Sequence, residues 1–434
     1  MNQSKLEKEG IPTLTVTTTA FIELATASTA GTGVPDLSFV VVEHPMGGIS
    51  KEEIRAKADA AFPEILKMAP EWRPQATEVP SPKAAYPAER FKFTGTIEDV
   101  NKLTFEKGWS LGLPIVPPTP ERVKALLNRT SRSPDEVLWV VPPRNGALTV
   151  ELLAVHAAMA GCKPEYMPLL ITIMEAFREE SYDWIGTATT TGSEAPMVMV
   201  NGPIVKELAI AYGSGCLAGG YHANVSMGYT INLIGAAVGG SVASACIDRS
   251  VIGSRANIIA NFFGENEDAN PWEPYHVEKG FKPTDNVVTV MSGDFVTLHE
   301  LHCRTGTEVL TTISSYLGGG ARCFGGGAFG GPGSSKSYFL VISPERAAIL
   351  ARDRWTKDAI RKYIVEHAKT QYGATSPKWC GIPKDFGPVT PETLVPVFGK
   401  PEEIEIVVAG GPGTHSAYVR GGHGSIVTKL IKTK

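Results

Sequence analysis

The sequence predicts an α/β protein with a mixed or mainly parallel sheet, built from repeated β-α units and carrying a small N-terminal strand-helix segment. Two observations lead there. The first is a recurring local pattern, in which a short apolar or β-branched run ends in a proline-containing loop and a helical periodicity follows. It occurs in FVVVEHPMGGISKEEIRAKA (39–58), LWVVPPRNGALTVELLAVHAAMA (138–160), PMVMVNGPIVKELAIAY (196–212) and SYFLVISPERAAILARD (337–353). Buried apolar strands alternating with helices are the mark of a sheet covered on its faces. The second is composition: 434 residues with 43% hydrophobic and 20% charged side chains supply a large core and argue against disorder.

Three regions follow along the chain. Residues 1–69 hold the strand-helix segment, LSFVVVEHPMGG and then SKEEIRAKADAAFPEILKMA. Ser50 is the expected N-cap, with Ile54, Ala58, Ala61 and Ile65 as an apolar face and Pro63 as a point of kinking. Residues 70–93 are proline-rich and aperiodic, a linker or extended arm. Residues 94–434 form the main body, as one unit or two subdomains.

Several function classes are disfavoured. A formal charge of −4 gives no basic footprint for nucleic acid or an anionic membrane. No apolar run approaches the roughly 20 residues that span a bilayer. The polar start MNQSKLEKEG lacks a signal-type apolar segment, which predicts a cytoplasmic protein. The cysteines at 162, 216, 246, 303, 323 and 380 are dispersed, as reduced thiols are, with no CxxC or zinc-ribbon spacing. There is no GxxxxGK[ST] loop, no GxSxG elbow, and no GxGxxG in dinucleotide-binding context. Glycine clusters at 213–224, 318–335 and 409–416 remain; the second reads either as a mobile lid or as a surface loop.

In an α/β sheet, ligands gather beyond strand carboxyl ends. That directs attention to Pro142–Thr149 with Asn145, to Asn201–Pro203, and to Ser343–Glu345. Asn224 in the first glycine cluster and Ser416 in the third join Asn145, Asn201 and Trp272 as substrate-binding candidates. The densest polar stretch is 264–280, with Glu265, Glu267, Glu273 and His276 flanked by Pro271, Trp272, Pro274 and Tyr275. Carboxylates and an imidazole suit general acid/base work or a divalent metal held by Glu265, Glu267 and His276; a solvated acidic loop is the plain alternative. Cys162, between a helix end at Gly161 and Lys163-Pro164-Glu165, is either a thiol with lowered pKa at a helix start or a small buried residue at a tight corner. His415 beside Ser416 on a glycine loop suits proton transfer or a structural turn, and His44 in EHPMGG is read the same way. His299 and His302, three apart, are better read as a helix face.

TVTTTAFIELA and VPDLSFVVVEHPMGGIS within 14–69 resemble the UGSC family, named for a motif of selenocysteine or cysteine, Gly, Ser and Cys. EKGWSLGLPIVPPTPERV (106–123), HAAMAGCKPEYMP (156–168), MVNGPIVKELAI (199–210), GENEDANPWEPYHVEKGF (264–281) and VVAGGPGTHSAY (407–418) are similar to the longer proteins associated with it. The resemblance implies thiol- or selenol-dependent transformation of a small molecule. The sequence departs from the pattern, since no cysteine precedes Cys162 and GSGC at 213–216 has another residue order. Leu111 and Arg346 also stand where the family pattern implies an acidic residue and a histidine. Either a separate small Cys-Gly-Ser-Cys protein supplies the thiol, or the chemistry does not use it. The expectation is an enzyme on a small polar metabolite, thiol-dependent at a carbon–heteroatom bond, with Cys162 and the 264–280 loop nearest the reaction. Its alternatives are a carboxylate/His lyase or hydratase, with a divalent metal as candidate cofactor, and a non-catalytic subunit that binds a UGSC-type partner. Homo-oligomerisation is expected in each case.

Overall fold

The computed structural model describes residues 3, 6, 7, 9–31, 34, 37, 39–68, 86–190, 192–242, 259–319, 338–374 and 388–432. Residues 70–85 of the 70–93 linker, most of the 318–335 glycine run, and Cys246, Cys323 and Cys380 lie outside the described residues.

The N-terminal segment forms the expected strand and helix, and adds a second pair. Strand β1 (Thr15–Thr18) leads through the Ile22–Gly31 helix to β2 (Phe39–Val42), which lies parallel to it, and the Lys51–Met68 helix follows. Ser50 caps that helix reciprocally with Glu53: the Glu53 N–H donates to Ser50 Oγ (3.2 Å) and the Ser50 N–H to Glu53 Oε2 (2.8 Å). The assigned helix runs on through Pro63. The expected apolar face is only half realised. Ala61, Ile65 and Met68 pack on Val40 and Val42, while Ile54 and Ala58 are exposed.

In the main body the second expected β-α unit is corrected. Its loop and helix start form instead a hairpin, β3 (Val137–Val141) against β4 (Gly146–Thr149), ahead of the Val150–Met159 helix. Asn145, at φ 57°, sits in the turn of this hairpin, off the main sheet. The other units hold. Strand β5 (Ala195–Asn201) precedes a single helical turn at Ile204–Glu207. After β6 (Asn261–Gly264) and β7 (Val287–Thr297), β8 (Tyr338–Ile342) leads into the Pro344–Arg352 helix. Short β9 (Lys369–Gln371) pairs with β10 (Leu394–Pro396), and β11 (Ile404–Val408), β12 (Ala417–Gly421) and β13 (Val427–Leu430) complete the chain.

The seven-stranded sheet is mixed, in the order β11-β8-β12-β7-β5-β6, with β13 also on β7. The pairs β5–β6 and β8–β11 are parallel; β7 runs antiparallel to β5, β12 and β13. The two sheet edges are linked where the Asn266 N–H donates to Val408 O (2.7 Å). Strand alternation then sorts the core, because successive side chains point to opposite faces. Val198, Val200, Val288 and Val290 pack under the Val150–Met159, Met167–Phe177 and His222–Ala237 helices. Leu340, Ile342, Ile404 and Ile406 pack under the Gly306–Gly319, Pro344–Arg352 and Lys357–His367 helices. The intervening residues Met197, Met199, Phe263, Met291, Phe339 and Val407 meet one another on the inner face. Both faces being buried explains why the strands read as continuous apolar runs rather than alternating ones. Among the described residues, no helix is long and apolar enough to cross a membrane.

Strands β5 and β6 run opposite to β8 and β11, yet the link at Asn266 brings Val408, the partner of Ile342 at the end of β8, next to the turn that follows Glu265.

Candidate functional site

Parallel β5 and β6 end side by side at Asn201 and Gly264, and Glu265 extends their ladder through its N–H to Val200 O (3.1 Å). A turn follows because Asn266 Oδ1 accepts the Ala269 N–H (3.2 Å), while its Nδ2 ties the turn to Gly410 O (2.9 Å). The turn carries Glu267 back over the end of β5, where Glu267 Oε1 accepts the Gly202 N–H (2.8 Å) and Asn201 Nδ2 (3.0 Å). Pro271 and Pro274 then route the chain into the short Tyr275–Glu278 helix, which places His276 beside both carboxylates.

One ligand atom from each of Glu265, Glu267 and His276 falls within 4.8 Å of the others. Glu265 is buried; it accepts Asn201 Nδ2 (2.5 Å) and the Tyr275 N–H (2.8 Å) on Oε2, and Asn270 Nδ2 (2.9 Å) on Oε1. Burial pushes its carboxyl up to about 7, against the opposing pull of Lys357 and of the Asn201 and Tyr275 hydrogen bonds. Glu267 keeps 27% of its side chain exposed, so the group reaches solvent through it. His276 is completely buried, and neither ring nitrogen has a hydrogen-bond partner among the described residues. Its Nδ1 stands 3.6 Å from Glu267 Oε1, beyond hydrogen-bond range. Asn201 Oδ1 is likewise without a partner among them. His156 shows the ordinary case: equally enclosed, it bonds Leu152 O through Nδ1 at 2.8 Å.

Of the residues expected at the site, Glu265, Glu267, His276 and Asn201 come together, and the others do not. Glu273 lies exposed before the short helix and offers Lys357 only its backbone carbonyl. Trp272 packs on the core beneath the Lys357–His367 helix and donates through Nε1 to Trp355 O (2.9 Å). Asn224 is a structural clamp: its amide serves the Ala211 N–H and the carbonyls of Ala211, Cys216 and Phe262. His415 is exposed, with Nδ1 at 2.9 Å from Leu298 O and its ring against that of His299. Ser416 is buried, its N–H on Glu300 and its Oγ accepting the Ser343 N–H.

The expectation of a lowered thiol pKa at Cys162 is reversed. The preceding helix ends at Gly161 (φ 76°), as expected, but Cys162 turns into the core with Sγ 3.3 Å from Thr230 Oγ1. Burial pushes its thiol up to about 11, outweighing the hydroxyls of Thr230 and Ser226. In native protein at pH 7, iodoacetamide should leave Cys162 unmodified by peptide mapping and label it once the chain is unfolded. Alkylation at the rate of a free cysteine in native protein would refute this burial. Cys162→Ser should accordingly cost stability rather than turnover.

Sequence reasoning missed Lys357, Arg361 and Asn270. Asn270 was visible inside the 264–280 stretch. The two cations stand 79 and 83 positions from Glu278, their partner, and no local pattern marks them.

Among curated proteins no match to the chain is found, and none is found among solved structures. Residues 4–70 match the family model described as the UGSC family, and by that match the chain resembles the UGSC family.

Proposed function

We propose that the chain is a cytoplasmic enzyme acting on a small polar metabolite, a lyase or hydratase, with Glu265, Glu267 and His276 as its reacting centre. The observation that carries this reading is His276, a fully buried imidazole whose two nitrogens have no hydrogen-bond partner among the described residues, next to a carboxylate that reaches solvent. A buried polar group left without a partner costs about 1–3 kcal/mol, and such a cost is retained where the group is used. Elimination and hydration need a proton moved at one carbon and an oxygen leaving or arriving at its neighbour. Oxygen and imidazole donors serve both steps. Thiol-dependent chemistry has less support, because Cys162 is enclosed and protonated at neutral pH. Exposed Phe91, Phe93, Ile97, Phe105 and Trp109 on one stretch favour assembly into a homo-oligomer.

The test is incubation with a panel of small hydroxy acids and unsaturated acids in D2O, followed by proton NMR. Wild type should incorporate deuterium or interconvert the acids. Glu267→Gln, which keeps shape and removes charge, and His276→Asn should each lower that turnover by about a hundredfold or more. A wild-type protein inert on the whole panel, or variants as active as wild type, would sink the reading.

A further inference from the structure

We infer that Glu265, Glu267 and His276 bind one divalent transition cation. The inference deepens the reading of this centre as the reacting one, but its geometry stands by itself. With metal–ligand bonds of about 2.1 Å, neighbouring ligand atoms of one ion sit roughly 3.0–3.4 Å apart. The 3.6 Å between His276 Nδ1 and Glu267 Oε1 is too long for a hydrogen bond and close to that ligand-to-ligand spacing. The whole set, within 4.8 Å, needs only small side-chain shifts to close on an ion.

The alternative is an imidazolium paired with the carboxylates. Both ring nitrogens of an imidazolium are donors, and a buried one requires both bonded. Here neither is, among the described residues. A neutral imidazole, with one ring nitrogen free to give its lone pair to an ion, is instead the state a metal ligand must have. The carboxylates are held in place from behind, as ligands commonly are. Asn201 bridges Glu265 and Glu267, the Gly202 N–H fixes Glu267, and Asn270 with the Tyr275 N–H fixes Glu265. One nitrogen with carboxylate oxygens selects manganese, iron(II), cobalt or zinc over magnesium and calcium, which favour oxygen alone. Glu267 marks the solvent side, where positions on the ion stay open to water or to an oxygen of the substrate.

The experiment uses the full-length protein stripped with EDTA and dialysed. Titration with Mn2+, followed by electron paramagnetic resonance, and with Zn2+, followed by calorimetry, should show one ion bound per chain. His276→Asn and Glu265→Gln should each weaken binding at least about tenfold, and Asn201→Ala, which removes only the support, by about 10–100-fold. Glu267→Gln lies on the exposed rim, so its metal-free form should melt as wild type does while binding falls. Wild-type protein without saturable binding up to about 1 mM would overturn the inference. Binding by the folded Glu267→Gln variant indistinguishable from wild type would overturn it as well. Turnover lost in that variant with no ion bound by wild type rejects the cation and keeps the enzyme reading. An ion bound by wild type with turnover unchanged in the variants rejects the enzyme reading and keeps the cation.

Discussion

Glu278→Ala is expected to destabilise the fold by about 3 kcal/mol, because it removes the carboxylate that two buried cations share. Lys357 and Arg361 retain only 8% and 10% of their side-chain exposure, and both end on Glu278: Lys357 Nζ on Oε2 at 2.8 Å, Arg361 Nη2 on Oε1. Their remaining partners are weaker substitutes: Arg361 reaches the Ile404 carbonyl (2.8 Å) and the exposed Asp358 carboxylate (3.1 Å), Lys357 the Glu273 carbonyl (2.9 Å), and Glu405, 3.9 Å from Arg361, is already engaged by Lys279. Burial alone would raise the Glu278 carboxyl, but Lys357 and Arg361 override it and hold the group below the usual carboxylate range. A carboxyl lowered in the fold stabilises fully above its unfolded value, near 4.3, and the contribution is lost as pH falls through the lowered folded value. The difference between wild type and Glu278→Ala in urea unfolding should therefore be large at pH 7 and shrink below about pH 4. The partly exposed partner pair provides the contrast: Lys279→Ala, with a third of its side chain in water, should cost under about 1 kcal/mol. Equal effects for the two substitutions would show that the network is solvated.

Gly202→Ala is expected to cost about 3 kcal/mol or more and to loosen the site at the same time. Gly202 turns the chain at the end of β5 with φ 90°, where only glycine is unstrained. A Cβ there would lie 2.2 Å from Asp285 O and 3.0 Å from Asn286 Oδ1. Its N–H is the donor that fixes Glu267, and Asn286 Oδ1 accepts the neighbouring Ile204 N–H at 2.9 Å, so relief of the clash displaces both contacts. Gly280→Ala separates the two contributions. That residue has φ 91° with nothing within 4 Å of an added Cβ, so its cost should be the backbone strain alone, about 1–2 kcal/mol. Thermal melting of the pair decides it: equal shifts would mean the Asp285 carbonyl moves aside freely.

The candidate centre was legible in the sequence only in part. Glu265, Glu267 and His276 lie within twelve positions of one another, and the proline and aromatic residues among them marked a constrained loop. Glu273 sits as near in sequence and still faces solvent, because Pro274 places the helix start after it rather than before it. His415 and Ser416 looked equivalent to the Asn201 loop, since both follow strand carboxyl ends. Packing decides between them: Asn201 is buried and bonds Glu265 and Glu267, whereas His415 is exposed and meets Leu298 O and the His299 ring. No local pattern encodes that choice.

By itself the sequence determined the α/β class, the strand runs at 39–42, 195–201 and 338–342, and the Ser50 cap, because propensity, period and capping act over a few residues. It also determined the resemblance of the N-terminal segment to the UGSC family. Only the tertiary structure decided that β3 and β4 close as a hairpin, that Cys162 points inward, and that two distant cations fix Glu278. These are long-range outcomes: burial and charge pairing depend on which surfaces meet, and residues far apart in the chain supply the partners.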